Sequence, residues 1–182
     1  MRTNIFSSVL GATIIQPYPD WHPQLLRAYF TRNTQTALRS FDYDIHKSAW
    51  ADVARSANEH NDPGHFTTFI GYEFTTSTDI EGGNLHRNVI FNSSKASIRP
   101  WTRIDSINPE DLWTWQDRLR EKGVDTIAMP HNSNGSNGQM FEMETFKGNA
   151  IDIEYAKKRM RNEPIVEITQ VKGTSETHPL LS

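Results

Sequence analysis

No cysteine occurs among the 182 residues, which excludes a disulfide framework, a thiolate zinc site and a thiol nucleophile. His, Asp and Glu are left as the strong metal ligands. No run approaches the roughly 18 consecutive apolar residues that a membrane-spanning helix needs. The opening MRTNIFSSVLGATII has a short apolar stretch diluted by Ser and Thr, with no small-residue cleavage site after it, so it reads as mature chain and leaves the compartment undetermined. An excess of either sign of charge is small as well. A net charge of -3 and a pI near 6.2 give no general attraction to nucleic acid or to an anionic membrane, so any anion recognition must come from local Arg and Lys. Repeats, low-complexity tracts and dividing linkers are also absent. With 36% hydrophobic residues the chain suits one domain over 1–182, mainly helical and irregular over 1–62, with an α/β core over 63–182.

What is present centres on Phe66 to Phe91, FTTFIGYEFTTSTDIEGGNLHRNVIF. Phe66 to Tyr72 is an apolar, β-branched run after a Pro63-Gly64 turn, which predicts a strand closed by Glu73. Asn88 to Phe91 predicts a second strand, after a loop containing Gly82 and Gly83. Antiparallel pairing brings Glu73 near His86. The competing reading is a strand-end ion pair between Glu73 and Arg87, with His86 a surface residue.

Before this hairpin, Asp20 is expected to cap a short helix with Leu25, Leu26, Tyr29 and Phe30 on one face, and residues 31–47 show no sustained period. A helix is expected from about Ser48, with Trp50, Val53, Ala54 and Ala57 on one face. Asn108-Pro109-Glu110-Asp111 supplies a helix start with cap, proline and early carboxylates in order, and Lys122-Gly123 supplies its end. Asp125 to Met129 then predicts a strand that ends at Pro130-His131-Asn132 and the turn-forming SNGSNG. A helix over residues 151–161 stops before Pro164, and Ile165 to Val171 predicts a last strand. Strands alternating with helices predict an α/β fold with a mostly parallel sheet, or part of a β/α barrel, and one hairpin. Glu73, His131 and Lys172 then all lie at carboxyl ends of strands, where ligands collect in such folds.

The blocks GYEFT, NLHRNVIF, AMPHN and QVKGTSETHP, in this order, resemble the PHP (polymerase and histidinol phosphatase) superfamily in its branch known as a domain of unknown function. The resemblance spans about Trp50 to Ser182. It implies a distorted β/α barrel whose His, Glu and Asp side chains hold divalent metal, zinc, manganese or iron, for phosphoester hydrolysis. Position by position, Glu73, His86 and His131 match metal ligands and carry the catalytic role. Members normally open with His-x-His, which occurs nowhere in this chain, and close with Asp-x-His. Asp44-Ile45-His46 has the closing spelling but precedes Glu73, so no ligand role passes to it. The resemblance thus implies an internal portion of a longer protein, with an incomplete metal site and weak or absent activity.

Arg87, Asn132, Lys172 and Glu176 are the substrate-binding candidates, Arg87 because its fork suits phosphate or carboxylate. An ordinary salt bridge for Arg87 and a solvated loop for Lys172 and Glu176 are the competing readings. His178 and Asn134 are weaker candidates; His22, His60 and His65 read as structural. The expected partners are a small phosphoester and, because a partial barrel leaves strand edges unpaired, a second copy of the chain. The alternative to a hydrolase is a non-catalytic fold or a small-anion binding module.

Overall fold

Asp42 caps a helix with its own carboxylate, which accepts from the N–H groups of Asp44 (2.9 Å) and Ile45 (3.0 Å), two donors that a helix start leaves unsatisfied. That helix, α1, spans Tyr43–Glu59. The computed structural model describes residues 42–77, 83–171 and 173–174. The segment expected around Asp20, together with His22, Lys172, Glu176 and His178, lies outside the described residues. Helix α1 begins five residues before the Ser48 start that apolar spacing indicates, because the Asp42 cap extends it over a polar turn.

Strand β1 (Gly71–Phe74) pairs antiparallel with β2 (Arg87–Phe91), and β2 pairs antiparallel with β3 (Thr126–Pro130), giving a three-stranded sheet in the order β1-β2-β3. One face carries Phe74, Val89, Phe91 and Ala128, which pack with Trp50 of α1 and with Leu112 and Leu119 of α2 (Pro109–Arg120). Burial of these apolar side chains, about 1.5–3 kcal/mol for each of the valine, leucine and phenylalanine residues, holds the two helices to the sheet. The Trp50 ring meets Tyr72 edge-on at 5.6 Å, and its Nε1 donates to Ser97 O at 2.8 Å, so a large aromatic is buried with its one donor satisfied. Asn108 caps α2 by accepting from Glu110 N at 2.9 Å, as the sequence indicates. Helix α3 (Ile153–Asn162) follows the 3₁₀ turns Ser133–Gly135 and Gln139–Phe141. β4 (Thr169–Gln170) and β5 (Gly173–Thr174) form a separate small hairpin.

The mostly parallel sheet and partial β/α barrel expected from the strand and helix order are corrected by this pairing. A single crossover between β2 and β3 would make them parallel. Residues 92–108, however, form an extra leg, running back until Ile107 O accepts from Thr76 Oγ1 at 2.8 Å, past the end of β1. Helix α2 then returns to the other end, where Arg120 donates to Thr126 O at 2.9 Å. Two return legs reverse the sense of β3. The strand expected over Ile165 to Val171 likewise does not join this three-stranded sheet; it meets β3 by a backbone bond, Glu167 N to Pro130 O at 3.0 Å, and only Thr169–Gln170 is strand. The first strand of the hairpin is shifted too, starting at Gly71 and holding Glu73 within the ladder.

A buried ion pair fastens β2 to α3. Arg87 Nε and Glu163 Oε1 stand 2.5 Å apart, each side chain 2% exposed, and the same oxygen accepts from Trp113 Nε1 at 2.9 Å. Arg159 Nε meets Glu163 Oε2 at 3.2 Å. Glu163→Ala strands a buried guanidinium, so urea unfolding at pH 7 is expected to show a loss of about 3–5 kcal/mol. A loss below about 1 kcal/mol, the range of an exposed pair, would contradict that anchoring role.

Candidate metal centre

The register of β2 with its two neighbours builds a cluster on the sheet face opposite the helices. Arg87 lies opposite Pro130, and the ladder continues with His131 N donating to His86 O at 3.4 Å, which sets the two histidines side by side. Glu73 faces Asn88, so it is the diagonal neighbour of His86, within reach of a long side chain. Because β1 and β3 both oppose β2, Glu73 and His131 leave the sheet at the same end, although the strands bearing them do not touch. Glu73 Oε1 stands 3.0 Å from His86 Nδ1 and 3.2 Å from His131 Nε2. The three ligand atoms all lie within 4.8 Å of one another.

Two loops hold this arrangement. Asn84 N donates to Gly135 O at 2.8 Å and Gly83 N to Gln139 Oε1 at 3.0 Å, which fixes the approach to His86 against the turns that follow His131. A Cβ added at Gly83 would stand 1.7 Å from Ser136 O, so only glycine fits this crossing. Gln170 Nε2 donates to His131 O at 2.7 Å and holds that histidine from the other side.

Burial by itself would raise the Glu73 carboxyl, but hydrogen bonds to His131 and then His86, with the charges of both rings, outweigh it and lower the pKa from 4.5 to about 2. The cluster therefore holds an anionic oxygen beside two imidazole nitrogens. Donors at 2.0–2.2 Å from a tetrahedral ion stand roughly 3.3 Å apart, close to the two carboxylate–imidazole separations, so the donor set suits a zinc-like ion in kind and in those two spacings.

The remaining candidates are placed differently. Strand alternation puts the buried Arg87 on the helix-covered face, bound to Glu163 and to Leu85 O, so it forms neither the expected anion contact nor a strand-end pair with Glu73. Asn132 is buried beside His131 at the start of the Ser133–Gly135 turn. Asn134 Nδ2 is engaged by Thr174 O at 3.0 Å. His46 is buried on α1, its pKa lowered by burial and then by Arg99, and stands outside the cluster. His60 bonds Ser56 O and His65 pairs with Asp62, both exposed. Glu163, Gln170 and the Gly83 crossing escape the sequence reading. A carboxylate just past a helix end, with Pro164 after it, carries no local sign of burial.

A family model described as "Protein of unknown function (DUF3604)" matches residues 15–182. Among curated proteins and solved structures, nothing matches the chain.

The lowered Glu73 pKa has a pH consequence. Its contribution to stability is complete above about pH 4.5 and is lost as pH falls toward 2; at 1.36 kcal/mol per unit the interval amounts to roughly 3 kcal/mol. Urea midpoints between pH 5 and 2.5 should fall steeply in the parent chain and less steeply in Glu73→Gln. Equal slopes would contradict the carboxylate's role.

Proposed function

The chain belongs to the DUF3604 family, and from its ligand geometry we propose that Glu73, His86 and His131 form a mononuclear divalent-metal site serving hydrolysis of a small phosphoester or similar ester. One observation carries the reading: two imidazole nitrogens and a carboxylate oxygen converge within 4.8 Å at the edge of a half-exposed sheet face. Three protein ligands leave open coordination positions for solvent and substrate. A divalent ion bound there would lower the pKa of its water and polarise a phosphoryl oxygen. The chain's own part is to present the donors. His86 and His131 are held by strand pairing, and Glu73 remains ionised at neutral pH. Its carboxylate now contacts the imidazole nitrogens that an ion would take, so both must turn a proton-free lone pair to the ion when it binds.

The phosphoester substrate and the choice among zinc, manganese and iron rest on the PHP resemblance of the sequence blocks. Association with a second copy belongs to the same proposal, through the outer edge of β1, which no strand among the described residues pairs. The contacts between Glu73 and both histidines also favour a second reading, a self-satisfied polar network in a non-catalytic scaffold.

Titration calorimetry with Zn²⁺ and Mn²⁺ in buffers of different ionisation enthalpy separates the two readings. The metal-site reading predicts one ion per chain with proton release, binding weakened at least about tenfold by His131→Ala, and any metal-dependent phosphoesterase activity lost with Glu73→Ala. Absence of binding by the parent chain would establish the polar-network reading instead. Activity unchanged in Glu73→Ala would place hydrolysis at another site.

A further inference from the structure

Two buried polar atoms in this region have no hydrogen-bond partner among the described residues, His131 Nδ1 and the Oε1 oxygen of Glu167. Each is costly alone, because a buried polar atom without a partner forfeits its hydration. The backbone sets their residues side by side. Glu167 N donates to Pro130 O at 3.0 Å, Gln170 Nε2 to His131 O at 2.7 Å, and Asn134 Nδ2 to Thr174 O at 3.0 Å. As the chain advances from 167 to 170, before β5 turns it back, its contacts advance from 130 to 131. The segment therefore runs in the same sense as the exit from β3. In a parallel pair, an N–H given to residue 130 places its own residue beside residue 131, with both side chains on one face. Alternation along β3 makes that the face of the Glu73–His86–His131 cluster.

We propose that Glu167 is a positioning residue, accepting a hydrogen bond from His131 Nδ1–H after a change of its own rotamer. The pairing joins a donor and an acceptor that are otherwise both unsatisfied. Its consequence for metal rests on the function proposed above; the hydrogen bond itself does not. An imidazole that ligates through Nε2 carries its proton on Nδ1, and a carboxylate holding that proton fixes the tautomer and ring orientation and makes Nε2 a stronger donor. Glu167 touches neither ion nor substrate in this role.

The test uses the full chain with ¹⁵N-labelled histidine, observed by NMR without metal and then titrated with zinc, in the parent, Glu167→Gln and Glu167→Ala. Observed in its doubly protonated form, whose Nε2–H goes to Glu73, His131 is expected to show a hydrogen-bonded Nδ1–H in the parent, retained in Glu167→Gln, whose amide oxygen still accepts, and lost in Glu167→Ala. Zinc affinity should fall about 10–100-fold in Glu167→Ala and much less in Glu167→Gln. A general loss of packing would not separate the two variants by the state of one ring nitrogen. An Nδ1–H signal unchanged in Glu167→Ala overturns the assignment, even if zinc binds. A parent chain that shows the Glu167-dependent signal but takes up no zinc upholds the assignment and refutes the metal-site reading.

Discussion

The register of β2 against both neighbours is the constraint on which the rest depends. With Arg87 opposite Pro130 and Phe74 opposite Arg87, His86 falls beside His131 and diagonal to Glu73. A slip of β2 by one residue would send His86 to the helix-covered face and bring Arg87 out of it. Register is fixed strongly here because that face is a core: Phe74, Val89, Phe91 and Ala128 are each 0% exposed. Apolar packing on one side of the sheet thereby positions polar groups on the other.

Neighbouring residues of β2 consequently do different work. His86 faces the cluster, whereas Arg87, the next residue, is buried on the opposite face and tied to Glu163 at the end of α3. Trp113 and Arg159 bind the same carboxylate, so α2, α3 and the start of β2 share one anchor. Removing a member of such a network leaves a buried charge behind, whereas removing an exposed pair such as Arg55–Asp52 alters little. The proposed metal chemistry thus stands on a scaffold whose own charges are committed to holding it together.

Much of this was legible in local sequence. Asn108-Pro109 marks the start of α2, the apolar run ending at Met129 marks β3, and the hairpin brings Glu73 to His86. What local pattern could not give was the direction of β3. Residues 92–108 have no period of their own, yet as a full return leg they turn an expected parallel crossover into an antiparallel pairing. The partner of Arg87 is hidden for a related reason: Glu163 lies 76 residues away, and an Arg beside a His looks the same in sequence whichever face it takes. The α1 start is not legible because the turn capped by Asp42 lacks apolar spacing. Convergence of Glu73 with His131 depends on two successive strand pairings, and the four sequence blocks, rather than spacing, pointed to it.

The claim that these three side chains are ligands is tested most directly by the X-ray absorption fine structure of the zinc-loaded protein. The account predicts a shell of two imidazole nitrogens and one carboxylate oxygen at about 2.0–2.2 Å, completed by solvent oxygen, with one imidazole lost in His86→Ala. A shell without imidazole, or one unchanged in that variant, would contradict it.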